Sequence, residues 1–267
     1  MNQKRFWTLP STTCTESILW DRAFRFGMSV FETVAILRGR PLFLDGHIAR
    51  LERAASELMA CSIGPVGAWA QEVLLNELSG ETGVARIYCT AGPGGLAEAA
   101  TDPAGAILYE PAEVGTACGE PITVTVDRAP FAPVPGGWKT GNYWQNLRAL
   151  AAARAAGFDD AIVSDPAGRV VGSSTGNLFF MRRGRLVTPA LETGARPGVV
   201  REWVIAQTGA IDDLILADEL IKADEVFFTN SRVGIQAVGQ IDGHALPSCQ
   251  LAFQLGGLYR DAVLGHC

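Results

Sequence analysis

Lysine is scarce in this chain of 267 residues: Lys4, Lys139 and Lys222 stand against nineteen arginines. A guanidinium stays protonated and cannot serve as a nucleophilic amine. A chain that takes its positive charge from Arg therefore keeps Lys where an amine matters. Lys139 lies in Pro133-Val134-Pro135-Gly136-Gly137-Trp138-Lys139-Thr140-Gly141-Asn142-Tyr143-Trp144. Trp, Pro and Gly around it describe a snug, partly apolar loop, a setting that favours the neutral amine required for Schiff-base chemistry.

Three further features suit such a lysine. In Arg196-Pro197-Gly198-Val199-Val200-Arg201 a Pro-Gly pair precedes an apolar helix. Backbone N–H groups and the positive helix end there point at an anion, commonly a phosphate. Thr229-Asn230-Ser231 closes a strand with groups able to donate hydrogen bonds to the same anion. Arg50, with Arg53, follows Asp45 on a helix and adds a cation. Lysine, helix N-terminus, hydroxyl cluster and arginine are together what a pyridoxal phosphate site needs.

The elements that must position these residues form an α+β pattern. Met28 to Leu37 is rich in β-formers, and Arg38-Gly39-Arg40-Pro41 turns it into Leu42-Phe43-Leu44, a hairpin signal. Asp45 is expected to cap a helix carrying Ile48, Leu51, Ala55 and Leu58 on one face, followed by a helix from about Ala68 to Leu78. Strands are expected at Val84 to Thr90 and Ala106 to Tyr109. The pattern then dissolves into Pro, Gly and acidic residues. These shifts divide the chain into an N-terminal α/β domain (1–112), a linker (113–121) and a C-terminal domain (122–267). In the last, a strand at Ile122 to Val126 precedes the Lys139 loop, and Tyr143 to Ala156 reads as a helix. Short strands follow at Ala161 to Val163, Arg169 to Val171, Leu178 to Met181 and Leu186 to Thr188, then a helix near Gly198 and a strand at Glu225 to Thr229.

Composition excludes several classes. A net charge of −6 argues against nucleic acid or an anionic membrane as partner. Six scattered cysteines (Cys14, Cys61, Cys89, Cys118, Cys249, Cys267) without CxxC spacing read as free thiols in a chain with ample core. His47, His244 and His266 form no zinc motif, so no metal is expected. Neither a signal peptide nor a membrane-length apolar run stands out, and a soluble cytoplasmic protein is the expectation.

The order of the motifs resembles the class IV aminotransferase family, the fold-type IV pyridoxal phosphate enzymes. The segments are Gly27-Met28-Ser29-Val30-Phe31-Glu32-Thr33, His47-Ile48-Ala49-Arg50-Leu51, Lys139-Thr140-Gly141-Asn142 and Gly176-Asn177-Leu178-Phe179. Thr188-Pro189, Gly198-Val199-Val200-Arg201 and Asp224-Glu225-Val226-Phe227-Phe228-Thr229-Asn230-Ser231 complete the series. The resemblance implies two α/β domains, an N-terminal two-layer sandwich and a C-terminal barrel-like domain, with the active site between them. It further implies that Lys139 holds pyridoxal 5'-phosphate as an aldimine and shuttles the substrate's α-proton. Arg50, the amides of Val199 and Val200, and Ser231 would hold the phosphate, with Asn230 beside the cofactor. Family members are usually homodimers acting on small amino substrates.

Within the family, Asn142 follows Lys139 at the third residue, the spacing of the lyase and D-amino-acid branches. Thr229-Asn230-Ser231 resembles the lyases, and Thr33 matches a threonine thought to assist proton transfer there. The resemblance thus points to an aminodeoxychorismate lyase, which converts 4-amino-4-deoxychorismate to 4-aminobenzoate and pyruvate in folate biosynthesis. A transaminase of the D-amino-acid or branched-chain type, or a catalytically weak relative, is the alternative. Two departures stand out. Gly172 occupies the position of the glutamate that pairs with the pyridine nitrogen, five residues before Asn177. Ala91 replaces an arginine common in relatives. A carboxylate at the nitrogen supports the ring as an electron sink, so its loss is expected to slow Cα–H removal more than cofactor binding.

Overall fold

The computed structural model describes residues 3–9, 15–95, 97–100, 102–129 and 131–265; Cys14, Cys267 and His266 lie outside the described residues. The chain divides into two compact units, Met1–Val114 with Lys139–Asn142, and Gly115–Trp138 with Tyr143–Cys267. The segment carrying Lys139 therefore packs with the N-terminal unit, whereas the sequence pattern assigns all of 122–267 to the second domain.

The first unit is a two-layer sandwich. Its strands β1 (Arg5–Leu9), β2 (Ser29–Leu37), β3 (Arg40–Pro41), β4 (Gly83–Thr90) and β5 (Ala104–Pro111) form an antiparallel sheet in the order β1-β5-β4-β2-β3. Short helices α1 (Thr15–Trp20) and α2 (Arg22–Phe26) precede β2, while α3 (Leu44–Met59) and α4 (Gly64–Asn76) pack against the sheet. Hairpin β2–β3 turns through Arg38 and Gly39, both at positive φ, the two-residue geometry that matches strand twist. The strand expected at Leu42-Phe43-Leu44 is absent: Phe43 takes a left-handed conformation and α3 begins at Leu44. Asp45 consequently sits in the first turn of α3, where it favours the helix dipole, and does not cap it.

The second unit is built on a nine-stranded mixed sheet. Its strands are β6 (Ile122–Val126), β7 (Asp160–Ser164), β8 (Val170–Ser173), β9 (Asn177–Arg182), β10 (Arg185–Pro189), β11 (Ile211–Asp213), β12 (Glu225–Asn230), β13 (Gly234–Ile241) and β14 (His244–Ala245). They run β11-β10-β9-β12-β13-β6-β7-β8, with β14 paired to β13. The sheet curls until Val170 N donates to the Ile215 carbonyl, 2.7 Å away, just beyond β11. This closure makes the unit barrel-like. One face buries Val124, Ile162, Leu178, Phe180, Val226 and Phe228 in a continuous apolar core. Helix α5 (Trp144–Ala155) lays Ala149 and Ala153 against Ala161 and Val163 of β7, and α6 (Val199–Thr208) and α7 (Gln250–Leu264) cover β12 and β13. The small residues of α5 that read simply as helix sequence are what let it lie close on the sheet.

Cys61 and Cys89 are buried free thiols, and Cys118 and Cys249 are partly buried ones. Among the described residues no helix is long and apolar enough to cross a membrane, and no cluster of metal ligands occurs.

Candidate active site

In the first unit, Lys139–Asn142 is laid along the start of β2 as a short extra strand. Phe31 N donates to Lys139 O at 2.9 Å, Gly141 N donates to Ser29 O at 2.9 Å, and Val30 bridges Thr140. The Asn142 amide donates to Gly27 O at 3.3 Å. Two glycines permit this approach: a Cβ on Gly27 would lie 2.3 Å from Asn142 Oδ1, and one on Gly141 would lie 2.2 Å from Ser29 Oγ. Thus Gly27 and Lys-Thr-Gly-Asn are two halves of one backbone clamp. It holds the half-buried Lys139 with Nζ 3.8 Å from the centre of the Phe31 ring. Lys4 is an exposed partner of Glu110 and Lys222 is exposed, so neither has a comparable setting. Thr33, partly buried, lies two residues from Phe31 and so on the same face of β2.

The opposite face of β2 holds a buried charge cluster. Val30, Val34 and Ile36 are 0–1% exposed, and so is Glu32 among them. Its carboxylate accepts from Arg50 Nε at 2.6 Å and from Arg50 Nη2 at 2.6 Å, and pairs with His47 Nδ1 at 2.7 Å. His47 and Arg50, three residues apart on α3, share the face that looks at β2. Burial alone would raise the Glu32 pKa, but the Arg50 guanidinium and the His47 hydrogen bond hold the carboxylate well below its usual range. Burial pushes His47 down, against the opposing pull of Glu32, so the ring is neutral near pH 7. Arg50 is therefore a buried cation that brings its own counter-ion, not a solvated face residue. Glu32 and His47 stand in the family-like motifs without a role drawn from sequence. The signal that marks them is a carboxylate in the inward register of an apolar strand.

In the second unit, α6 begins at Val199 after Gly198, and no side chain caps it. The amides of Val199 and Val200 thus have no intrahelical acceptor. Asn177, at the head of β9, fixes this start: its amide donates to Arg196 O at 2.7 Å, and a Cβ on Gly198 would lie 2.0 Å from its Oδ1. Arg201, 4% exposed, ties the same turn down through Asp212 at 2.6 Å. Asn230 Oδ1 accepts from the amides of Arg232 and Val233 at 2.9 and 3.0 Å. Its oxygen therefore shapes the turn that carries the half-buried Ser231. The neighbouring Thr229 hydroxyl is buried and has no partner among the described residues.

Gly172 lies buried in β8, and an added Cβ would come 2.7 Å from the Gly176 carbonyl oxygen. The following turn is closed on itself. Ser173 N donates to Gly176 O at 3.0 Å, and Ser173 Oγ accepts from Gly176 N at 2.8 Å. Ser174 Oγ donates to Asp160, a carboxylate whose pKa burial pushes up against the hydrogen bonds of both serines. Both hydroxyls serve Asp160. A glutamate at 172 would not fit without moving this turn. Ala91, the second departure, is buried, and its carbonyl accepts from Arg22. Arg22 is 1% exposed and also donates to Glu98 O at 2.7 Å and Gly92 O at 3.2 Å, so a guanidinium from α2 organises the Gly-rich loop.

In the first unit an amine clamped over an aromatic ring suits an aldehyde, and in the second an uncapped, buried helix start suits a phosphate. An antiparallel sandwich followed by a closed mixed sheet, with these groups on it, defines a two-unit α/β enzyme. The family model for amino-transferase class IV matches residues 29–241, and the chain belongs to that family of pyridoxal phosphate-dependent enzymes. An aminodeoxychorismate lyase from Vibrio harveyi is 26% identical over 96% of this chain and 97% of its own length. The solved 4-amino-4-deoxychorismate lyase of Pseudomonas aeruginosa is 29% identical, with a TM-score of 0.83, covering 96% of this chain and 98% of that one. The branched-chain aminotransferase of Thermoproteus uzoniensis, solved with norvaline, is 26% identical, with a TM-score of 0.84 over 99% of this chain and 96% of that one.

Proposed function

We propose that this chain is an aminodeoxychorismate lyase that holds pyridoxal 5'-phosphate on Lys139 and releases pyruvate and 4-aminobenzoate from 4-amino-4-deoxychorismate. The observation that carries the reading is the clamp of Lys139–Asn142 on Gly27 to Phe31, in which the three-residue spacing brings Asn142 onto Gly27 O. Full-length similarity to lyases from two organisms supports it. Similarity at 26% identity to a branched-chain aminotransferase makes amino-group transfer the second reading.

The bound cofactor supplies an electron sink for charge developing at the carbon next to the substrate nitrogen. The chain's residues supply the rest. Lys139 Nζ would hold the cofactor and, as a free amine, would carry a proton to and from the substrate. Thr33, on the Phe31 face of β2, would relay a proton. The amides of Val199 and Val200 and the Ser231 hydroxyl would bind the phosphate, with Arg50 adding positive charge moderated by Glu32 and Asn230 shaping the turn that carries Ser231. With Gly172 in the place of the family's glutamate, β8 would offer no carboxylate to the cofactor's ring, and proton removal at carbon would be slower for it.

The protein acts in the cytoplasm, in folate synthesis, as a homodimer. Ile18, Leu19, Trp20 and Phe24, each about half exposed or more on α1 and α2, are a surface suited to a second copy. Borohydride reduction of the protein mixed with pyridoxal phosphate, followed by peptide mapping, is expected to mark Lys139. Marking of Lys4 or Lys222 alone would overturn the assignment. A side-by-side assay for pyruvate release and for amino-group transfer then separates the two readings.

A further inference from the structure

The two faces of the first unit's sheet differ. Val34, Ala85, Ile87 and Ile107 lie on the face that α3 and α4 cover, and all are 0% exposed. Their neighbours Thr33, Arg86, Tyr88 and Leu108 point the other way, and each keeps part of its surface exposed. Register sets this open face out in rows. The bridge of Val30 to Thr140 puts Lys139 opposite Phe31, and Phe31 is opposite Tyr88. In this row the Phe31 and Tyr88 rings stack with centres 5.5 Å apart, and Lys139 Nζ lies 3.8 Å from the centre of Phe31. The next row pairs Thr33 with Arg86 and Arg86 with Leu108. Arg86 is thus one two-residue step, about 7 Å, along β4 from Tyr88.

This face carries surplus positive charge beyond Lys139. Arg86 Nη1 donates to one oxygen of Glu110 at 2.6 Å, and Lys4 donates to the other at 2.7 Å. Those two bonds hold the Glu110 pKa down at about 2, so one carboxylate faces two cations and one charge is left over. Nη1 is the one atom of the Arg86 head with an acceptor among the described residues, and the side chain is 34% exposed. The Tyr88 hydroxyl beside it makes no hydrogen bond among those residues.

We infer that Arg86 recognises the ring carboxylate of the substrate, the group that the reaction leaves in place. With Nη1 held by Glu110, the Nε–Nη2 edge presents two parallel N–H groups that match a planar carboxylate, and the Tyr88 hydroxyl adds a donor beside them. The stacked rings are a flat apolar floor between this edge and Lys139. Lys139 and Tyr88 stand two strand spacings apart, about 10 Å between backbones, which leaves room for one six-membered ring with an amine at one end and a carboxylate at the other. The inference rests on the lyase reading and deepens it, by making the carboxylate opposite the amine the recognised group.

The test compares wild type, Arg86→Gln, Arg86→Lys and Glu110→Gln, using 4-aminobenzoate and 4-aminobenzamide as calorimetric probes and an absorbance titration of pyridoxal phosphate. Wild type is expected to bind the carboxylate about tenfold tighter than the amide, the size of one charged hydrogen bond. Arg86→Gln should bring the ratio close to one with cofactor affinity unchanged, and Arg86→Lys should fall between, having charge without the fork. Glu110→Gln removes the competing acid and should raise the ratio. A wild-type ratio near one, a ratio unchanged in Arg86→Gln, or no rise in Glu110→Gln overturns the inference. Failure of wild type to bind pyridoxal phosphate would sink the proposed function, while the carboxylate ratio would still report on Arg86.

Discussion

Replacing Glu32 by Gln removes one charge from the buried cluster and leaves the shape almost unchanged. The carboxylate holds two Arg50 bonds of 2.6 Å and a His47 contact of 2.7 Å. Charged hydrogen bonds contribute about 1.5–3 kcal/mol each, but Gln can still accept one of them. Deleting one partner of a buried pair typically costs about 3–5 kcal/mol, because the other charge is left uncompensated, and that is the expected loss here. Hydrogen exchange of α3 and β2 amides reports this loss from the first unit alone. The double variant Glu32→Leu with Arg50→Met should be markedly less damaged than the sum of the single changes, since no buried charge remains. A loss below about 1 kcal/mol in Glu32→Gln, or additivity within about 0.5 kcal/mol, would refute the view that these groups form one unit.

The same cluster sets an acid limit. His47 has a lowered folded pKa, so its contribution is fully present above the unfolded value of about 6.5 and declines as pH falls, by up to about 1.4 kcal/mol per pH unit. Glu32, lowered as well, adds to the loss once pH falls below about 4.3 and toward its folded value. Exchange protection of β2 should therefore decline from pH 7 to 5, and a His47→Gln variant should flatten that segment. Arg50→Ala should weaken pyridoxal phosphate binding about tenfold or more, as judged by absorbance titration; unchanged affinity would remove Arg50 from the phosphate site. Gly172→Ala should lose about 1–3 kcal/mol in urea unfolding, from the contact with Gly176 O at 2.7 Å, and Gly172→Glu should not accelerate α-deuterium exchange. Sedimentation at micromolar concentration should show a dimer, and Trp20→Glu with Phe24→Lys should shift it to monomer.

Most of the regular elements are legible in the sequence. Periodicity locates β2, β4, β6, α5 and β12 to within a residue or two, because each carries an unbroken β-rich or helical run. Helix α7 is not legible locally: its apolar residues Leu251, Ala252, Leu255 and Tyr259 are separated by Gly256 and Gly257, which look like a loop until a sheet covers them. Gly256 is required by packing, since a Cβ there would lie 2.4 Å from Cys118 N. Strand β1 begins near the N-terminus and owes its identity to pairing with β5, a contact about a hundred residues away that no local pattern records. Phe43 makes Leu42 to Leu44 look like a strand, because left-handed backbone at an aromatic residue is a tertiary result.

The site is legible by residue type and only partly by role. Lys139 can be singled out because its rarity and its neighbours are local facts. Arg50 is visible as a cation, but not as a buried one, since its burial depends on Glu32 arriving from another element in the inward register of β2. Arg196 carries no local mark, because an arginine before Pro-Gly looks like a solvated loop residue. Only its position over Tyr143 and the buried, unpartnered Nε separate it from one. These cases share one physical reason. A side chain's chemistry depends on its counter-ion and its solvent, and both are supplied by residues distant in sequence. Where both halves of an arrangement are backbone, as in the clamp of Gly27 on Asn142, glycine identity betrays the contact and the sequence can be read directly. Where the halves are a charge and its partner, the fold must be seen first.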